Sequence, residues 1–279
     1  MMIPAASHPA TNQIIYNILE PRVQAGVRIL DFGAGRGHMC QRLGELAKSR
    51  GMVAGDCLEA GEITPESFQY ADVHCARLNV DSVIPFAEEE FDVVYAIEVL
   101  EHTRRPYDFL DEAFRVLKPN GMLVFSVPNV MHILSRLQIL FQGFGEMFDA
   151  PSKRIENAGR ICGHIMPLNY SYFEYGLSVS GFTEISTYTD RRKCSSFLLS
   201  LFLYPVLYAG SLFRDRKLRK YDKQVWRENR KIIYKMNSLE MLSARSCIVS
   251  AIKPNSEFRL RNERDRYNGV ELSETLVTT

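Results

Sequence analysis

Apolar and polar positions fall into two kinds of block along the first half of the chain. Runs that are apolar on both faces suit buried strands at residues 27–32, 91–96 and 122–127, with weaker runs at 51–56 and 73–78. Between them the periodicity is helical. Residues 11–19 predict a short helix before Pro21, and a second helix can start at His38 because residues 38–48 hold no proline. Over 108–117, Phe109, Leu110, Ala113, Phe114 and Leu117 share one face, and Lys118-Pro119-Asn120-Gly121 is expected to stop that helix. Strands alternating with helices predict an α/β fold with a doubly wound, mostly parallel sheet.

The second half is less regular. Residues 129–170 read as a long excursion with a helix at 130–140, followed by a helix at 170–180 and a strand at 182–189. An uncharged stretch at 195–213 leads into a basic, helical segment, and 245–252 suits a last strand. This divides the chain into a core at 1–190, a hydrophobic and basic helical insertion at 191–240, a last core strand within 241–253, and a polar tail at 254–279 expected to be disordered.

The first strand ends in Asp31-Phe32-Gly33-Ala34-Gly35-Arg36-Gly37. Glycines directly after a strand allow a tight turn and let backbone N–H groups approach a ligand. The spacing is not that of the dinucleotide fingerprint, which needs a glycine where His38 stands, and no Gly-Lys-Ser/Thr follows as in a phosphate-binding Walker loop. Asp-x-Gly-x-Gly-x-Gly after a strand resembles the first motif of class I S-adenosylmethionine-dependent methyltransferases. Further segments resemble the same superfamily, and its type 11 and ubiquinone-biosynthesis O-methyltransferase-like group, in the right order. They are Ile84-Pro85-Phe86 before Phe91-Asp92-Val93-Val94, then Glu98-Val99-Leu100-Glu101-His102, then Arg115-Val116-Leu117-Lys118-Pro119-Asn120-Gly121, Val127-Pro128-Asn129 and Gly181-Phe182.

The resemblance implies a seven-stranded Rossmann-like sheet with an antiparallel last strand, a helical cap and S-adenosyl-L-methionine as cofactor. It implies that Asp31, Gly33, Ala34, Gly35 and Gly37 line the methionine part. Asp56 would hold the ribose, since an acid at the end of the second strand offers two acceptor oxygens to a diol. Cys57 would lie beside the adenine, Asn79 or Asp81 would face its amino group, and Ile97 and Glu98 would flank the methyl donor.

Methyl transfer from a sulfonium is an in-line displacement, and a hydroxyl acceptor must lose a proton to a base or beside a metal ion. Glu98, Glu101 and His102 are spaced i, i+3, i+4, so a helix would put them on one face. Two carboxylates and an imidazole can bind Mg2+ or Mn2+. Similar Glu-x-x-Glu-His segments occur in two metal-dependent groups, the ubiquinone-biosynthesis catechol O-methyltransferases and the small-RNA 3′-terminal 2′-O-methyltransferases; in the latter a later histidine completes the site, and His164 is the candidate here. The simpler alternative has Glu98 on the cofactor, Glu101 as a helix cap and His102 as a general base. His8, His38, His74 and His132 are expected to be structural or on the surface.

Composition narrows the acceptor less. With 34 Lys and Arg against 33 Asp and Glu, the net charge of +1 gives no push toward nucleic acid. The six cysteines form no Cys-x-x-Cys pair, which argues against a zinc ribbon and fits a reducing compartment. No basic region followed by an apolar run opens the chain, so a cytoplasmic protein is expected. Residues 195–213 lie between Arg191-Arg192-Lys193 and Arg214-Asp215-Arg216-Lys217. A single span conflicts with strands before and after it joining one sheet, and Pro205 suggests a bend. A membrane-interface element, a buried lid over the acceptor site and a dimer contact remain open. The leading expectation is O-methylation of a small or lipid-linked hydroxyl compound. Two alternatives are 2′-O-methylation of RNA, weakened by the missing basic aromatic tract, and a non-catalytic cofactor-binding scaffold or partner subunit.

Overall fold

In the computed structural model, which describes residues 2–79, 83–150 and 163–255, seven segments pair into one sheet. They are β1 (Ile29–Phe32), β2 (Leu58–Glu62), β3 (Cys75–Arg77), β4 (Phe91–Ile97), β5 (Leu117–Pro128), β6 (Thr183–Thr189) and β7 (Ser246–Ile252). The order is β3-β2-β1-β4-β5-β7-β6. Strands β1 to β5 run parallel, and β7 runs antiparallel to both of its neighbours.

The helices are α1 (Pro9–Leu19), α2 (His38–Ser49), α3 (Ala54–Cys57), α4 (Pro106–Val116), α5 (Ile133–Gln142), α6 (Tyr170–Ser180), α7 (Cys194–Tyr221), α8 (Lys223–Met236) and α9 (Leu239–Ser243). Central strands send alternate residues to opposite faces, so the sheet needs a cover on each. On one face Leu30, Val94, Leu123, Phe125 and Val249 pack under Phe109, Leu110 and Ala113 of α4 and Phe173 and Leu177 of α6. On the other, Ile29, Val93, Tyr95, Val124 and Ile248 meet Ile15 and Leu19 of α1 and Met39, Leu43 and Ala47 of α2.

Two departures from the sequence expectations bear on function. The second strand does not lie at 51–56. Residues 54–57 form the single turn α3, and the strand begins at Leu58, in register with β1 from Ile29↔Leu58 to Phe32↔Gly61. Opposite β1, the run 58–62 buries Leu58, Glu59, Ala60 and Gly61, whereas Val53 and Asp56 are exposed. Glu59 tolerates burial because His74 and Arg28 pair with it. The acid at the end of β2 is therefore Glu62. The other departure is that Lys118-Pro119-Asn120-Gly121 does not only end α4. It forms an irregularity inside β5, where the register with β4 shifts and Asn120 adopts φ +63°.

In the second half, α6, β6 and β7 lie where the pattern put them. Pro205 does not break the helix: α7 runs through it from Cys194 to Tyr221. Most of the polar tail, residues 256–279, lies outside the described residues.

Candidate functional site

The carboxyl ends of β1, β2 and β4 open on one cleft of about 840 Å³, beside the point where strand order reverses between β1 and β4. Loops after parallel strands are free to converge there, while the strands below hold their ends rigid.

The β1 loop forms one wall. Gly33 N–H and Ala34 N–H donate to the Gly61 carbonyl at 2.8 and 3.1 Å, and Gly37 N–H donates to Ala34 at 2.9 Å. Gly33 and Gly37 have φ of +78° and +93°, and a Cβ on either would fall 2.5 Å from Val99 or 2.7 Å from Phe68. Glycine is required at both by conformation and by space. Glu62 reaches across from β2: one carboxylate oxygen accepts from Gly35 N–H and the other from Ile63 N–H, both at 2.8 Å.

Asp31 sits at the base of this wall, 4% exposed, and accepts from the Cys40 thiol at 3.2 Å. Burial pushes its carboxyl from 3.8 up to about 7. The folded protein thus keeps a proton that the unfolded chain releases above about pH 4, so this group's stabilisation is lost as pH rises from about 4 to 7. A cationic ligand in the cleft favours the carboxylate instead. Its affinity is expected to rise with pH, by up to about tenfold per unit below 7, and to level off above. Calorimetric titration across this range checks the slope; an affinity that falls with pH contradicts it.

The opposite wall follows β4. The expected helix across residues 98–102 does not form. Glu98 takes a left-handed φ of +55°, and only Leu100–His102 closes a 3-10 turn. A non-glycine residue held there carries strain, which the N–H of Glu98 offsets by donating to the Ser126 carbonyl and hydroxyl at 3.2 and 3.1 Å. Glu98 is half-buried in the cleft, and burial raises its carboxyl.

Glu101 is 1% exposed, and neither of its carboxylate oxygens has a hydrogen-bond partner. Burial lifts it to about 8. An orphaned buried carboxylate is costly unless something meets it. Its backbone carbonyl accepts from Ile165 N–H and Met166 N–H at 2.9 and 3.2 Å, which ties the segment after residue 163 to this wall and brings His164 with it. His102 Nδ1 lies 3.0 Å from the Gly163 carbonyl and His164 Nδ1 lies 2.7 Å from the Met147 carbonyl. A carbonyl only accepts, so each ring donates from Nδ1 and leaves the Nε2 lone pair free. The two rings stand 4.8 Å apart, edge to face, and burial lowers the His164 imidazolium. Among the described residues, Glu101, His102 and His164 present ligand atoms within 4.8 Å of one another; Glu98 lies outside that group.

The structure thus brings Asp31, Gly33, Ala34, Gly35, Ile97, Glu98, Glu101, His102 and His164 to one cleft. It does not bring Asp56, which is exposed before β2, or Cys57, which is buried under the sheet. Asn79 is exposed and off the cleft wall, Gly37 packs behind the loop on Phe68, and Asp81 lies outside the described residues. Sequence reasoning missed Glu62, whose signal was its place at the end of Leu58-Glu59-Ala60-Gly61. It also missed the N-terminal lining of Pro4, Ser7 and Asn12, where Asn12 is fixed by two hydrogen bonds to Ser7. His38, expected to be structural, lines the cleft with Nδ1 2.6 Å from the Ile3 carbonyl. Of the other histidines, His8 caps α1, His74 pairs with Glu59, and His132 is buried beside Glu146.

Comparison with known proteins converges on this region. Residues 30–125 match the family described as "Methyltransferase domain". A "Ubiquinone biosynthesis O-methyltransferase" of Maricaulis maris is 32% identical over 113 residues, 37% of this chain and 41% of that protein. One of the same name from Bradyrhizobium diazoefficiens is 32% identical over 120 residues, 40% of this chain and 44% of that protein. The matched part spans less than half the length of these two relatives. Among solved structures, an S-adenosylmethionine-dependent methyltransferase of Mesorhizobium loti superposes with a TM-score of 0.50 at 15% identity, covering 88% of this chain and 98% of its own.

Proposed function

We propose that this chain, which carries a class I S-adenosylmethionine-dependent methyltransferase domain, methylates a hydroxyl group on a small or lipid-linked acceptor. The observation that carries the finer part is the cluster of Glu101, His102 and His164 facing the glycine loop across the cleft. The cofactor supplies a methyl group already activated by its sulfonium. The protein's work is then to hold two reactants in line and to remove one proton.

Glu62 is placed to take the ribose diol, because its carboxylate lies against the loop at the end of β2. Ile63 follows it, 45% exposed, as an apolar face for the adenine in the place expected of Cys57. Asp31 and the loop N–H groups suit the methionine end. Ile97 and Glu98 lie next to where the methyl group would project. His102, with Nδ1 held by Gly163, offers Nε2 as the base for the acceptor hydroxyl.

The donor set also fits a divalent cation. Two imidazoles with Nδ1 fixed by carbonyls and one orphaned carboxylate form three ligands with open positions, as a metal that binds a substrate oxygen requires. Mg2+ or Mn2+ held there by Glu101, His102 and His164 would lower the pKa of an acceptor hydroxyl, with His102 Nε2 then a ligand in place of the base.

Release of S-adenosylhomocysteine with candidate hydroxyl acceptors tests the reaction. A chelator is expected to lower turnover more than about tenfold, and Mn2+ to restore it. Chelator-insensitive turnover that still needs His102 contradicts the metal site and leaves the simple base.

A further inference from the structure

Helix α7 is apolar on its outer side as well as its inner one. Leu198, Leu201, Phe202, Val206, Leu212 and Phe213 recur at helical spacings on its outer side and stand 37% to 79% exposed. The side toward the protein mixes half-buried Leu203 and Leu207 with polar groups. Ser196 and Ser200 are buried, and Ser200 Oγ lies 3.4 Å from the Leu242 carbonyl of α9. Asn237, just past α8, donates to Ser211 Oγ at 3.4 Å, and Trp226 of α8 donates to Asp215. A helix facing water carries polar residues on its outer side. The outer stripe runs about 22 Å along the axis. Helix α5, which contacts α7, also exposes Leu140 and Phe141, at 75% and 77%. An apolar patch of this extent on a folded protein marks a surface that meets something.

The charge beside the stripe says what. Residues 214–235 hold ten Lys or Arg and three Asp or Glu, in a chain whose remainder carries more acidic than basic residues. Arg214, Arg216, Lys217, Arg219, Lys220 and Lys223 are all exposed. Arg192 and Lys193 stand exposed at the start of the helix, whereas Arg191 has a guanidinium nitrogen buried. A stripe of apolar side chains continued by a strongly basic segment complements a bilayer with anionic headgroups. A second copy of this chain would bring basic segments toward one another, which disfavours association. The helix is long and apolar enough to cross a bilayer. Crossing, however, would strip α7 from α8 and α9 and put Ser196, Ser200 and Asp215 into lipid.

We propose that α7 docks this protein on the surface of an anionic phospholipid bilayer, with the stripe of residues 198–213 in the interface and the basic segment 214–235 on the headgroups. Docking sets where the protein works and stands apart from the chemistry of the cleft. It would place the cleft where an acceptor with a long apolar tail resides.

Flotation of the full chain with vesicles tests this, using phosphatidylcholine alone and phosphatidylcholine mixed with phosphatidylglycerol. Wild type is expected to float with the mixed vesicles at low salt, to release as salt rises, and to stay down with phosphatidylcholine alone. The triple variant Leu201→Glu, Phe202→Glu, Val206→Glu is expected to lose binding on the order of a hundred-fold, while its circular dichroism and S-adenosylhomocysteine binding match wild type. A second variant, Arg216→Gln with Lys217→Gln and Lys220→Gln, leaves the stripe intact and is expected to weaken binding to the mixed vesicles. Wild type that ignores anionic vesicles overturns the proposal. So does a triple variant that floats like wild type, or a concentration-dependent dimer that the triple variant abolishes without any vesicle binding. Native membrane association that survives alkaline carbonate would mean a span and would also overturn it.

Discussion

Glu62→Ala is expected to weaken binding of S-adenosylmethionine by about a hundred-fold, while Asp56→Ala leaves it within about twofold. The contrast follows from where β2 starts. Because Leu58 pairs with Ile29, the strand ends at Glu62, and its carboxylate meets the Gly35 N–H at 2.8 Å. Removing it deletes the two acceptor oxygens offered to a ribose diol. It also frees the middle of the glycine loop, so the loop must be ordered by the ligand itself. Charged hydrogen bonds contribute about 1.5–3 kcal/mol each, and partial replacement by water brings the sum to about 2–3 kcal/mol. Asp56 is exposed on α3, at the far end of the same strand, and touches none of this. Calorimetry of both variants decides the matter; a larger loss in Asp56→Ala would mean that the register of β2 is wrong.

His102→Ala is expected to lower turnover by about a hundred-fold to ten-thousand-fold, with S-adenosylhomocysteine affinity within about threefold of wild type. The ring sits across the cleft from the glycine loop and donates from Nδ1 to Gly163, so it contributes a free lone pair at Nε2 and little to cofactor binding. The two readouts separate a catalytic group from a structural one. Turnover and affinity falling together would point to a collapsed cleft wall, and unchanged turnover would remove His102 from the reaction.

How much of this was legible depended on how local the signal was. The β1 loop was readable because an apolar strand, an acid and alternating glycines are adjacent in the chain, and their conformation is decided within a few residues. Glu62 was not, because Met52-Val53-Ala54 looks as strand-like as Leu58-Glu59-Ala60, and only pairing with β1 chooses between them. Glu98, Glu101 and His102 have helical spacing, yet Glu98 is left-handed, and His164 joins the cluster through backbone bonds from Ile165 and Met166 to Glu101. Those bonds span some sixty residues, which spacing does not encode. In α7 the uncharged run was plain, but its direction was not. An apolar helix reads the same whether its stripe faces a core or water, and only the burial of Ser196 and Ser200 shows which way it is turned.

The central claim is that the cleft between the β1 loop and the β4 wall binds S-adenosylmethionine and its demethylated product. Calorimetric titration of the wild-type chain with S-adenosylhomocysteine tests it most directly. One site per chain is expected, with low micromolar affinity on the order of −7 to −8 kcal/mol, weakened about a hundred-fold in Glu62→Ala and kept in Asp56→Ala. A folded protein that takes up no S-adenosylhomocysteine at millimolar concentration would contradict it.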